Sequence, residues 1–553
     1  MTDNLRKGWT PDRRTVLKTG AAMAGAAAVG GAMKATLAEA ASPAGTMVIA
    51  APATPQSLDC EFDVSLGTFE AIAACYDCVV EFEKIPDAGV PTARREDIND
   101  YPNKPGRVNL VGKLAESWEI DPDSQWIRFK LREGVMSNWG NELTADDVVW
   151  TWHRKLALGA IGGFYASVLS YTRPEMVRKE SKYVVSFNLD NPNPLLMKLQ
   201  PNLYNPIFDS TKCAEAGGSE DPWAKEFLKN NTAGFGPYEI AKLVRGNQAV
   251  YKARADYYGG KPAIDTVIFK EVPTTAARAQ LLEGGAVDIA QHLQPLELVK
   301  LAKVPGVTVD TIPATFMLWI ELNAKMKPFD NIDVRRAMNF AFPQEQVIST
   351  VFQNLAEPLT ACMPDIYAGY NKSYWEYGKQ DLAQAKELLK GAGYPDGFET
   401  TLAYDASSGS QETSAILYQS ALREIGVKLK LKKIPAATFY SNVSERKQPM
   451  IFYLDSPWCP DAGYSMNLYF HSKSFINYSN YENARVDELI DAASKTGDMD
   501  ARLEMMDEVQ KHVMREAPWV FVAKTNFSLA HRADLKGWTY YTSNNMRFQD
   551  FHR

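Results

Sequence analysis

LAESWEIDPDSQWIRFKLREGV, residues 114–135, reads as two strands joined by a turn. Ile127, Phe129 and Leu131 alternate with Arg128, Lys130 and Arg132, so one face of an extended segment is apolar and the other charged. Asp121-Pro122-Asp123-Ser124 supplies turn chemistry just before it, and Gly134 helps to end it. The spacing predicts a hairpin over 117–132. LTADDVVWTW, residues 143–152, then opens a helix with Thr144 as its N-cap.

Away from this block, strand-like and helix-like segments keep alternating without an internal repeat. Asp381 caps a helix whose apolar positions are Leu382, Ala385, Leu388, Leu389 and Ala392, and Gly393 stops it. Residues 412–425 form a second helix, stopped by Gly426. In the next strand Val427, Leu429 and Leu431 alternate with Lys428, Lys430 and Lys432, a lysine stripe that reads as a solvated edge guarded against aggregation. Residues 483–494 are helical again, with Val486, Leu489, Ile490 and Ala493 inward. This alternation predicts an α/β architecture.

The 553-residue chain is too long for a single core, so two or three domains are expected. Its 60 basic and 67 acidic residues form no long basic run, which gives no reason to expect nucleic acid as a partner. The first forty residues read as an export leader: a basic head with Arg13-Arg14, a Gly/Ala-rich run from Thr19 to Met33, and Ala38-Glu39-Ala40-Ala41 as a cleavage site near Ala40. Asp12 to Lys18 resembles the twin-arginine consensus, which implies the twin-arginine translocase as an export partner. The leader holds six basic and three acidic residues, so its removal leaves a chain three charges more negative than the full-length −7. Beyond it, no stretch approaches the roughly 20 apolar residues of a membrane span.

The six cysteines, Cys60, Cys75, Cys78, Cys213, Cys362 and Cys459, all follow the leader. In an oxidising compartment they suggest a structural bridge among Cys60, Cys75 and Cys78, with buried free thiols as the alternative. Cys75-Tyr76-Asp77-Cys78 has no second CxxC, and the six histidines show no metal-ligand pairing, so neither a metal site nor a cofactor is expected. There is no GxGxxG after a strand near the mature start, no HExxH and no GxSxG. The chain is therefore not read as an enzyme. The alternatives are an exported cofactor-bearing enzyme, a class that twin-arginine export often carries, and a periplasmic binder used in signalling.

The order of segments resembles bacterial extracellular solute-binding protein family 5, the large peptide/nickel-type periplasmic receptors of ATP-driven importers. The resemblance runs from about residue 46 to the C-terminus. Beside Leu114–Trp118, Phe129–Val135 and Thr144–Val148, it rests on Gly234-Phe235-Gly236-Pro237-Tyr238, Tyr257–Pro262 and Gly284–Ile289. Pro328-Phe329-Asp330 with Asp333–Ala337, Gly393–Phe398, Ala517-Pro518-Trp519 and Lys536-Gly537-Trp538 continue it in order. It implies a two-lobed periplasmic-binding-protein fold of type II. Lobe one would hold residues 41–312 plus 518–553, with an extra subdomain near 85–215. Lobe two would hold 313–517, and hinge crossings would fall near Pro313 and Pro518. It also implies a monomer in the periplasm, an inner-membrane ABC permease as partner, and a small solute (peptide, opine-like or sugar conjugate) as cargo.

In this family a lobe-two loop often shaped Trp-x-x-Asp-Tyr-x-Asp-Pro reaches the ligand, and its first aspartate can hold a peptide's amine. The matching stretch is Leu454-Asp455-Ser456-Pro457-Trp458-Cys459-Pro460-Asp461. Asp461 falls on the second, more structural aspartate and Trp458 on the first, so the chain departs from the peptide pattern at the amine anchor. An indole there offers a stacking face for a sugar ring, an aromatic or a cation. Asp455, Trp458, Cys459 and Asp461 are candidate ligand contacts, together with Phe69 after the first strand, Tyr404 and Asp405 at a strand end, and Phe235 in its tight turn. Met363 and Trp319 read as core.

Overall fold

A computed structural model describes residues 45–553 apart from Val64. The expected leader, residues 1–40, lies outside the described residues. Strand β1 (Thr46–Ala51) leads into helix α1 (Leu66–Cys75). The opening block folds as the hairpin β2 (Ala115–Ile120) and β3 (Trp126–Leu131), pairing Trp118 with Phe129 and Ile120 with Ile127. Ile127, Phe129 and Leu131 are fully buried while Arg128 and Lys130 stay exposed. Each of the three apolar side chains contributes about 1.5–3 kcal/mol by leaving water. Helix α2 (Ala145–Leu158) covers this sheet, and α3 (Ile161–Val168) follows it. At the start of α2 the Asp147 carboxylate accepts from the Thr144 amide at 2.7 Å and from the Ser210 amide at 2.8 Å. β4 (Val177–Ser181) and β5 (Val184–Asn188) complete a four-stranded sheet in the order β2-β3-β5-β4, and α4 (Leu195–Lys198) comes next.

The main sheet has eleven strands among the described residues. Its first part contains β6 (Tyr238–Val244), β7 (Gln248–Ala253), β8 (Thr266–Glu271), β1 and the short β9 (Ile289–Ala290), after which comes helix α5 (Pro295–Leu301). The long β10 (Val307–Leu322) crosses into a second part, built from α6 (Leu382–Gly391), β11 (Glu399–Asp405), α7 (Gly409–Glu424), β12 (Lys428–Ile434) and β13 (Met450–Asp455). Helices α8 (Ala462–Phe470), α9 (Ala484–Ala493) and α10 (Met499–Glu516) follow, and β14 (Trp519–Arg532) returns. The strand order is β6-β7-β8-β1-β9-β14-β10-β13-β11-β12, with Ala356–Pro358 pairing separately on β14. The result is a two-lobed α/β fold.

The two long antiparallel strands, β10 and β14, join the lobes. Val307–Ile312 pairs with Arg532–Phe527, where β9 also pairs. After a register shift, Phe316–Glu321 pairs with Thr525–Trp519, and β13 joins from the other side. Pro313 lies in that shift. The returning strand begins at Trp519, and Trp519–Thr525 runs beside Phe316–Glu321 ahead of the register shift. Pro518 precedes the strand, where its missing N–H costs no ladder bond.

The helix and edge-strand expectations of the second half agree with the fold. Asp381 accepts from the Gln384 amide at 2.8 Å to cap α6. β12 ends the sheet with Lys428, Lys430 and Lys432 exposed, so the stripe guards an open edge. Near that edge two backbones touch. Gly397 has φ +76°, and a Cβ on it would lie 2.2 Å from the Gly426 carbonyl carbon. Gly397→Ala is expected to cost about 2 kcal/mol or more, through left-handed strain plus this clash. Urea unfolding checks this, and an unchanged midpoint would show that the turn relaxes freely.

Candidate functional site: a cleft at the strand ends between the lobes

β1 and β9 run parallel, as do β11 and β13, and ligands of α/β sheets sit outside the carboxyl ends of such strands. Here those ends are Gln291 after β9, Asp405 of β11 and Asp455 of β13. A cleft of about 270 Å³ opens beside them. It is walled by Gln291–Pro295 and Leu298, by Phe352, Leu355, Ser408, Ser410 and Leu454, and by Phe316 and Thr525–Leu529 of the long strands, with Asn544 also reaching it. None of these side chains is an Arg, Lys, Asp or Glu. His292 has a left-handed backbone (φ 49°), and burial, helped by the Arg278 charge, pushes its imidazole down to about 4, so it is neutral at pH 7.

The loop after β13 docks on the first lobe. Trp458 is half-buried against three aromatic rings, with centroids 5.1 Å from Tyr204, 5.8 Å from Phe164 and 6.3 Å from Tyr165. Its carbonyl accepts from the Asn202 side-chain amide. Asp461 closes the loop. Its carboxylate accepts from Arg502 Nη1 at 2.7 Å, from Arg502 Nη2, and from Lys198 Nζ at 2.9 Å, and it caps α8 through the Tyr464 amide at 3.0 Å. Burial pushes this carboxyl up, but the Arg502 and Lys198 charges more than reverse that and hold it well below the usual carboxylate range. Gly463 makes room for the guanidinium, since a Cβ there would lie 2.2 Å from Arg502 Nη2.

The candidates from the sequence separate into distinct environments. Asp461 has both oxygens occupied inside this network. Cys459 is buried, with Sγ 3.9 Å from the Lys198 carbonyl. Tyr404 is buried among the core side chains of the second lobe. Phe235 is fully buried because its turn packs against the end of α1, where the Gly236 amide bonds the Cys75 carbonyl at 3.0 Å. These four belong to the interior rather than to a cleft wall. Phe69 packs edge-on against Tyr204 at 4.9 Å, and Asp405 accepts from the Ser407 amide at 2.8 Å beside the cleft-lining Ser408. Met363 and Trp319 are core, as expected.

Asp455 follows Leu454 in β13, so the two side chains take opposite faces of the sheet. Leu454 lines the cleft, whereas Asp455 sits near Tyr453 and Tyr469. Burial pushes its carboxyl up to about 7. Glu70 of α1 is a second buried acid, pushed up to about 8 by burial although Gln291 Nε2 donates to it at 2.8 Å. The cleft residues Gln291, Gln294 and Asn526 were not foreseen. The one signal that could have found the first two is that Gln291 comes two residues after the Gly284–Ile289 family match.

The expected bridge among Cys60, Cys75 and Cys78 is corrected: all six cysteines are free and buried. Burial pushes the Cys75 and Cys78 thiols up to about 12, so little thiolate forms at neutral pH. Among the described residues no group of three or more His, Cys, Asp or Glu could hold a metal ion, and no helix is long and apolar enough to cross a membrane.

A two-lobed receptor with a cleft at its strand ends is the class that fold and site define, and comparison with known proteins agrees. The family model for bacterial extracellular solute-binding proteins, family 5 (middle), matches residues 109–477, and the chain belongs to that family. A probable D,D-dipeptide-binding periplasmic protein, DdpA of Escherichia coli K12, is 25% identical over 507 residues, covering 91% of this chain and 93% of the relative. The dipeptide binding protein from Pseudoalteromonas sp. SM9913, solved with Met-Leu, superposes with a TM-score of 0.79 at 20% identity, covering 92% of this chain and all (100%) of that one. MoaA from A. tumefaciens R10, solved with mannopinic acid, gives 0.75 at 22% identity, covering 92% and 99%. Similar folds thus carry different cargoes, and the cargo has to be argued from the cleft.

Proposed function

We propose that this chain is the periplasmic solute-binding component of an ABC-type importer, taking up a small peptide or peptide-like solute. The twin-arginine leader would be removed near Ala40, and the closed receptor would dock on its inner-membrane permease. Residues 41–312 with the C-terminal segment form one lobe in this reading, and the segment starting near Pro313 forms the other. The observation that carries it is the cleft whose walls come from both lobes at the ends of β9, β11 and β13. The peptide-binding relatives support the cargo class.

Closure needs contacts made only when the lobes meet, because a ligand shifts the equilibrium only by its preference for one state. Trp458 against Tyr165 and Tyr204 serves as such a contact here. Asp405 and Phe69 remain cargo-facing candidates by position. Asp455 is kept as a site for a cationic group that reaches beyond the cleft. Native mass spectrometry of the gently purified mature protein, followed by thermal-shift screening, tests the reading. A co-purifying solute that raises the melting temperature is expected, since binding to the native state stabilises by mass action. A protein that arrives empty and is stabilised by no peptide or related solute would overturn the transport assignment and leave the fold standing.

A further inference from the structure

The cleft is unusual in what it lacks. Phe316, Phe352 and Phe527 give it apolar walls. Its hydrogen-bonding groups are amides, hydroxyls and one imidazole. Asn526 donates to the Leu355 carbonyl at 3.1 Å, and its own Oδ1 is buried without a partner. Gln291 uses its amide N–H on Glu70, which leaves its carbonyl oxygen to accept. The nearby ionised groups are turned elsewhere. Arg278 spends its guanidinium on the carbonyls of Val272, Pro273, Gln291 and His292, and Asp405 is engaged by Ser407. A carboxylate placed against these walls would find no cation among the lining side chains to pair with.

Resting on the receptor reading above, we propose that the cleft receives an uncharged part of the cargo, an amide-bearing group on an apolar frame. A peptide-like solute whose carboxyl end is blocked as an amide satisfies this, and one that must seat a free carboxylate in the cleft does not. The amide N–H meets the side-chain Oε1 of Gln291, and the frame packs on the phenylalanine walls. The volume of about 270 Å³ lies just below the roughly 300–1,000 Å³ of ordinary ligand pockets, which suits one such group and not a long chain.

The probes are a matched pair, the dipeptide Ala-Phe and its C-terminal amide, titrated by calorimetry into the mature protein at pH 7. The amide is expected to bind at least tenfold more tightly. The variant Gln294→Lys, which places one cation on the cleft wall, is expected to shift the ratio at least tenfold toward the free acid. Equal or tighter binding of the acid by the parent protein overturns the inference and leaves the receptor reading intact. A ratio unmoved by Gln294→Lys places the discrimination outside the cleft and also overturns it. If neither probe binds at millimolar concentration, the peptide-amide assignment falls, and the mass-spectrometric experiment decides the receptor reading separately.

Discussion

Asp461→Ala is expected to lose about 3–5 kcal/mol of unfolding free energy, because it strands two buried cations together. The side chains of Arg502 and Lys198 are 2% and 7% exposed, and both bond this one carboxylate, so neither can turn to water without opening the loop. A further ~1 kcal/mol goes with the lost cap of α8. Asp461→Asn keeps the cap and the volume but not the charge, so it should recover only that smaller part. Lys198→Met, which leaves the Arg502 pair in place, should cost less than either. Because the folded carboxyl lies below its unfolded value, the network's contribution is present above about pH 4 and is lost only as acid reaches the depressed folded pKa. Urea unfolding at pH 7 measures all three variants. An Asp461→Ala midpoint equal to that of the parent would mean that the ion pairs contribute nothing net.

The second large effect concerns Glu321, which lies in β10 between two tryptophans. Trp319 donates Nε1–H to it at 2.8 Å, Trp319 and Trp519 stack at 4.1 Å, and no cation pairs with the carboxyl among the described residues. Burial pushes it up to about 8. The folded protein therefore holds a proton that the unfolded chain releases above about pH 4.5. Stability is fully present below that pH and declines as pH rises toward about 8, by about 3 kcal/mol at pH 7 for this group alone. Glu70, also raised to about 8, acts in the same direction. Unfolding free energy should thus be lower at pH 8 than at pH 5.5. Glu321→Gln, neutral in both states, should remove a large share of that decline. Parallel pH profiles for parent and variant would show that the carboxyl ionises in place without cost.

Much of the architecture was legible because it rests on local chemistry. The alternation in 125–132, the Asp381 cap and the lysine stripe of 428–432 each depend on neighbours a few residues away, and each took the form that its period demands. The candidate site was legible only in part. Trp458 and Asp461 were located by their motif, but which side chain faces cargo depends on the strand face and on the opposite lobe. Phe235 and Tyr404 show the limit: an aromatic in a turn or at a strand end reads the same whether it points outward or inward.

The sequence by itself determined the α/β order, the family, and the hairpin and helix starts. It did so because hydrophobic period, caps and turns act over short spans of chain. Only the tertiary structure decided that the cysteines stay apart, that Lys198 meets Asp461, and that the cleft wall carries no ionised side chain. Those outcomes depend on groups hundreds of residues apart being brought within a few ångströms, and burial then sets which charges are paired and which protons are held.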